Sequence, residues 1–177
     1  MTLPSFRYHP DPIGSGSIAE SGAICKSCGQ APGYIYTASV YSVEELDDAL
    51  CPWCIADGSA HKKFDASFVD ERAFAEGVPE SAIAEISQRT PGYSSWQTEF
   101  WPGCCGDASA FLTPAGIAAI RQRQLEGVVM NYIVYEMEIS GGAANHLLNS
   151  LDRDGGPTAY IFQCLHCSQY QVHIDHH

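Results

Sequence analysis

Leu50-Cys51-Pro-Trp-Cys54 closes a pair of thiols, and 22 residues separate it from an earlier pair, Cys25-Lys-Ser-Cys28. One Cys-x-x-Cys turn offers a metal two ligands at a natural bite. Two such turns complete the four soft ligands that zinc takes in a tetrahedron, with sulfur at about 2.3 Å. Iron is the minor alternative for the same ligands. Four thiols at this spacing rarely arise as core filler. Cys25, Cys28, Cys51 and Cys54 are therefore expected to staple the fold around one structural zinc.

A third pair, Cys164-Leu-His-Cys167, needs partners, and the two cysteines left over are adjacent, in Trp-Pro-Gly-Cys104-Cys105-Gly-Asp. A second site would take Cys164, Cys167 and Cys105, with Cys104, His173 or His166 as the fourth ligand. Neighbouring side chains diverge in extended backbone, so a site built from cysteine alone is the less natural form. His173, with Asp175 as a supporting carboxylate, reads first as a strand-face histidine. All eight cysteines stand as candidate ligands; one zinc is expected and a second is left open.

The chain has 177 residues, enough for one compact domain with a real core. Its 9 basic against 21 acidic residues leave a formal charge of −12. Nucleic-acid affinity rests on Lys and Arg neutralising phosphates; here the few basic residues are scattered, and a thiolate-bound metal deepens the negative charge. No nucleic-acid partner is expected. No stretch approaches the roughly 18–20 apolar residues of a membrane span, and Met1–Pro12 carries no export pattern. A cytoplasmic protein follows, whose cysteines serve metal or redox chemistry and not a disulfide framework.

Along the chain, residues 1–23 are rich in Pro, Gly and Ser and predict an extended arm. GYIYTASVYS (33–42) alternates like a strand. Ser42 with Glu45 forms a capping box for a short helix through Leu46 to Leu50, and Gly58 interrupts whatever helix follows Cys51. Pro79–Arg89 is an amphipathic helix stopped by Thr90-Pro91-Gly92. Thr113-Pro114 reads as an N-cap and first helical position for a helix to about Glu126. VVMNYIVYEMEI (128–139) fits a strand or a helix. Ser140 caps a helix to Leu151, broken by Gly155-Gly156-Pro157, and the tail reads strand, Cys-x-x-Cys turn, strand. Cys25-Lys-Ser-Cys28-Gly-Gln and Cys164-Leu-His-Cys167-Ser-Gln are alike, and both lead into strand-like sequence. That is the pattern of a zinc knuckle, whose tight turn aims backbone N–H groups at sulfur.

Other chemistry fits less well. Cys51-Pro-Trp-Cys54 has the form of a thioredoxin-like dithiol, but that needs a strand before it and a long helix after it to lower the thiol pKa. The acidic run Glu44, Glu45, Asp47, Asp48 would raise it instead. No zinc-protease, phosphate-loop or serine-elbow motif occurs. The aromatic block Tyr93, Trp96, Phe100, Trp101 is expected to be core more than cleft, and His9 with Asp11 belongs to a His-Pro-Asp-Pro turn more than to a metal.

FRYHPDPIGSGSI (6–18), LCPWCIADGSAHKKFD (50–65), RTPGYSSWQTEFW (89–101), CCGDASAF (104–111) and FQCLHC (162–167) resemble the CbrC family. These are small bacterial proteins of uncharacterised function, linked by name to colicin tolerance. In that family the position of Cys104 is often histidine followed by cysteine. The resemblance thus implies a metal-capable side chain there and favours a second site that uses both neighbours. It implies no activity and supplies no catalytic residue.

The expected fold is α+β: a zinc-stapled single domain over 1–177, with short β-ribbons at the knuckles and three or four helices. The expected role is a cytosolic zinc protein that acts by protein–protein contact. An enzyme is the less favoured reading. Its forms are a zinc hydrolase at an open site near Cys105, Cys164 and Cys167, with Asp107 or Asp175 as base, or a dithiol oxidoreductase at Cys51/Cys54.

Overall fold

A computed structural model describes residues 2–97 and 99–175; His176-His177 lie outside them. The chain runs through β1 (Ile18–Glu20), β2 (Tyr34–Tyr36), α1 (Pro52–Ala56), α2 (Ser59–Phe64) and α3 (Glu80–Arg89). It continues through β3 (Gly103–Cys104), β4 (Asp107–Ala108), β5 (Ala110–Ala115), α4 (Ile117–Gln122), α5 (Glu126–Tyr135) and α6 (Gly141–Ser150). It ends in β6 (Thr158–Gln163) and β7 (Tyr170–Asp175). The class is α+β, as expected, but the described residues hold six helices where three or four were predicted. The surplus is short: α1, α2 and α4 span five or six residues each, too few for a 3.6-residue period to show.

The antiparallel sheet β5-β6-β7 divides the interior. Successive side chains of a strand face opposite ways, and central β6 uses both faces. Tyr160 and Phe162 join Tyr8, Tyr93, Trp101 and Phe111 in an aromatic core. Ala159 and Ile161 meet Ile120, Val129, Ile133 and Leu148 from α4, α5 and α6. Burial on both sides goes with an unbroken apolar run over residues 159–162 of this strand. A third cluster, with Phe6, Ile18, Tyr36, Leu50, Ile55 and Phe68, surrounds Cys25, Cys51 and Cys54.

Several elements differ from expectation. The segment 42–50 is irregular, with bends at 42–44 and one turn at 47–48, although Leu46 and Leu50 are buried as a helix would have them. Asp48 sits at φ 51°, which breaks a right-handed helix. Thr113-Pro114 lies inside β5 and caps nothing; the helix begins after Gly116. Proline is tolerated there because β5 is an edge strand with a register shift between Phe111 and Thr113. The ambiguous run 128–139 is mostly α5. The segment expected to be an extended arm packs on the body over residues 2–23: Phe6, Tyr8 and His9 are buried, the Phe111 N–H donates to the Tyr8 carbonyl at 2.8 Å, and β1 pairs with β2. Among the described residues no helix is long and apolar enough to cross a membrane.

Candidate metal centres

Two groups of four cysteines form. Cys25, Cys28, Cys51 and Cys54 converge, as do Cys104, Cys105, Cys164 and Cys167, and within each group the sulfurs all lie within 4.8 Å of one another. All eight are free thiols. Measured edges are 4.0 Å for Cys28–Cys51, 3.7 Å for Cys104–Cys105 and 3.6 Å for Cys104–Cys167. A disulfide would bring sulfurs to about 2.05 Å. Four sulfurs held about 2.3 Å from a central zinc stand about 3.8 Å apart, so the donor set and its spacing fit a tetrahedral metal.

The two knuckles share one backbone. In the first, the Cys25 N–H donates to the Gln30 carbonyl at 2.8 Å, and the Gly29 N–H to the Cys25 carbonyl at 2.8 Å. In the second, the Cys164 N–H donates to the Gln169 carbonyl at 2.9 Å, and the Ser168 N–H to the Cys164 carbonyl at 3.1 Å. The residue after the second cysteine is left-handed in both, Gly29 at φ 72° and Ser168 at φ 60°. This closure aims N–H groups at sulfur: His166 and Cys167 donate to Cys164 Sγ at 3.4 and 3.5 Å. Cys51 N–H reaches Cys25 Sγ at 3.3 Å across the first site.

Those dipoles favour thiolate. Burial pushes the Cys25 thiol up, yet the N–H groups of Cys28, Cys51 and Ser27 outweigh it and bring the thiol down to about 7. The Cys167 and His166 N–H groups bring Cys164 down to about 6. Their neighbours move the other way. Cys51 is raised by burial and by the adjoining thiols, and Cys104 by its contact with Cys164, by burial and by Cys167. Crowded thiols cannot all ionise unless a cation shares the space.

The adjacent pair answers the expectation that an all-cysteine second site is the less natural form: Cys104 and Cys105 both join Cys164 and Cys167. β3 and β4 form a two-residue hairpin with Cys104 opposite Asp107, and its turn residues Cys105 and Gly106 both have positive φ, 54° and 75°. The backbone is folded back there and not extended, so both sulfurs reach one cluster. The alternative fourth ligands go elsewhere. His166 Nε2 is 3.0 Å from Asp107 Oδ2, and His173 Nδ1 is 3.1 Å from the Tyr132 hydroxyl.

The two sites differ in exposure. Three cysteines of the first are buried and Cys28 is exposed; in the second only Cys164 is buried, with Cys105 and Cys167 exposed. Near the first, Lys63 Nζ donates to the Lys26 and Ser27 carbonyls at 2.9 and 3.0 Å, placing a cation at the knuckle.

The expected bases are committed to other work. Asp107 accepts from Arg7 at 2.6 Å, Tyr8 at 2.8 Å and the Ala108 N–H at 2.9 Å, besides its contact with His166. Asp175 is buried and accepts the Gln97 N–H at 2.7 Å. It pairs with Thr158, whereas Gln163 and Tyr170 border the cysteine turn; that is the far end of the hairpin, roughly 17 Å away along the strand. Cys51 is the N-cap of α1, whose five residues already include Pro52, Trp53 and Cys54, so no long helix follows the dithiol, and irregular chain, not a strand, precedes it. Tyr93 and Trp101 are core, while Trp96 is 48% exposed. His9 and Asp11 join neither cluster: His9 bonds Pro91 and Ser15, and Asp11 accepts the Gly14 N–H at 2.9 Å. Asp107 and His166 link the second site to the N-terminal segment, a role that only its hairpin geometry reveals.

Comparison with known proteins finds relatives over almost the whole chain. The UPF0167 protein PA1536 from Pseudomonas aeruginosa is 44% identical over 175 residues, covering 98% of this chain and 97% of that protein. The UPF0167 protein Mb2317 from Mycobacterium bovis is 44% identical over 176 residues, covering 98% and 93%. No solved structure matches. The model of an uncharacterised protein family, UPF0167, matches residues 3–176, and the chain belongs to that family.

Proposed function

We propose that this is a cytosolic protein that binds two structural zinc ions, one in each four-cysteine group, and acts through protein–protein contact. The observation that carries the reading is the convergence of four sulfurs to within 4.8 Å, twice in one chain. Zinc is favoured because a closed set of four cysteines is a common form of structural zinc site, with iron as the minor alternative for the same tetrahedron. Four protein ligands leave no position for a reacting water, and the engaged Asp107 argues further against a hydrolytic metal. The colicin association suggested by the CbrC resemblance names a phenotype and not a chemistry. A protein partner fits the charge of −12, and it fits the exposed Leu165 and Tyr170 at the second knuckle and Ile24 beside the first.

The folding role is tested by chelation. Metal binding at such sites is folding free energy, so a strong chelator under reducing conditions should abolish the cooperative thermal transition, and added zinc should restore it. Unchanged melting after complete metal removal would overturn the structural role.

A further inference from the structure

Away from both cysteine clusters, His9 is fully buried and makes two short hydrogen bonds: Nδ1 to the Pro91 carbonyl and Nε2 to Ser15 Oγ, both 2.7 Å. A carbonyl only accepts, so Nδ1 carries a proton. Burial pulls the imidazole down to about 4 and keeps it neutral, so Nε2 is bare and accepts from the Ser15 hydroxyl at 2.7 Å, the shortest contact of an oxygen that also lies 3.2 Å from the Pro12 carbonyl and 3.4 Å from Ser17 Oγ. Hydroxyl, imidazole and a tautomer-fixing acceptor thus stand in sequence, as a nucleophile, its base and an orienting group do. The Phe111 ring packs edge-on against the imidazole, 5.0 Å between centroids, and fixes its plane.

Ser15 also lines a cleft of about 400 Å³ whose other lining residues include Tyr93, Trp96, Tyr160 and Arg153. Arg153 donates to the Gly14 and Ser15 carbonyls at 3.0 and 3.4 Å, which pins the nucleophile's loop. Aromatic walls beside a buried hydroxyl–imidazole pair suit a flat, uncharged acyl compound.

We propose that Ser15 and His9 form an acyl-transfer centre that cleaves small aryl carboxylic esters, independent of the metal sites. Ser15 Oγ attacks the ester carbonyl carbon as its proton passes to His9 Nε2. The resulting imidazolium is steadied by the Pro91 carbonyl on Nδ1. Collapse breaks the carbon–oxygen bond, and the departing phenoxide takes the proton from Nε2. Water then adds to the acyl-serine, giving its proton to Nε2; the acid leaves and Ser15 Oγ recovers the proton. The sum is ester plus water to acid plus phenol.

The test uses the full zinc-loaded chain. A fluorophosphonate probe, which joins Oγ with loss of fluoride, is followed by intact mass and peptide mapping, alongside hydrolysis of p-nitrophenyl acetate. One adduct at Ser15 with matching loss of esterase activity is expected, and Ser15→Ala should remove the adduct and lower kcat/KM roughly 100-fold. A folded protein without an adduct, an adduct mapped elsewhere, or hydrolysis no faster than in Ser15→Ala would overturn the proposal. Mapping on the unaltered chain decides the matter if Ser15→Ala fails to fold.

Discussion

His166 Nε2 lies 3.0 Å from Asp107 Oδ2, so the middle of the last knuckle is tied to the hairpin that carries Cys104 and Cys105. The same carboxylate holds Arg7 and Tyr8, which brings the N-terminal segment to the second cysteine cluster. Burial pushes the Asp107 carboxyl up, but the Tyr8 hydroxyl, His166, the Ala108 N–H and Arg7 together hold it below its ordinary value. The ionised group is therefore the one this contact set is built for.

Asp107→Asn should weaken the second metal by about 10–100-fold, the usual effect of losing an outer-shell partner, and leave the first unchanged. Competition with a chromophoric chelator, resolving two affinities, measures this. Equal affinities before and after the change would contradict the account.

The cysteines should divide by burial. Cys25→Ala and Cys54→Ala remove ligands from the middle of the cluster formed by Phe6, Ile18, Leu50 and Ile55, and should give insoluble or unfolded protein. Cys105→Ala acts at an exposed hairpin tip and should give soluble protein with one metal fewer. Soluble yield and zinc per chain, measured for each variant, check both outcomes.

Much of this is legible in the residues. Spacing alone pairs Cys25-x-x-Cys28 with Cys51-x-x-Cys54, and the likeness of the two knuckles anticipates their shared hydrogen bonds. Cys104-Cys105 misleads because chain neighbours diverge only where the backbone is extended, and Cys105 and Gly106 are left-handed. That turn depends on β3 pairing with β4, a relation no local pattern announces. Thr113-Pro114 misleads for a similar reason: a capping signal and an edge-strand proline look alike until the sheet is known. The burial of the N-terminal segment is hidden because Tyr8 and His9 find their partners, Asp107 and Pro91, far along the chain.

Ser168 occupies the left-handed position that Gly29 fills in the first knuckle. A side chain there costs roughly 1 kcal/mol, so Ser168→Gly should stabilise the zinc-loaded protein by about that amount and Gly29→Ser should destabilise it by a similar one. Denaturant midpoints in excess zinc measure both. Destabilisation by Ser168→Gly would show that the serine hydroxyl matters more than the backbone.

His9 makes stability depend on pH. Its folded value of about 4 lies below the ordinary 6.5, so the unfolded chain binds the extra proton between those limits. The stability is fully present above pH 6.5 and falls with decreasing pH until about 4, by roughly 3 kcal/mol. Burial is the cause, opposed by the Pro91 carbonyl. A folded His9→Gln variant should lose that share of the slope, while acid loss of metal remains common to both proteins. Denaturant unfolding of the pair across this window checks the difference.

The most direct measurement is metal stoichiometry by native mass spectrometry on reduced protein, with cysteine alkylation in parallel. Two zinc ions per chain, with all eight cysteines protected until a chelator is added, is the result the two four-sulfur clusters predict. A metal-free chain in zinc-supplied, reducing conditions, or one zinc with Cys104, Cys105, Cys164 and Cys167 freely alkylated, would contradict it.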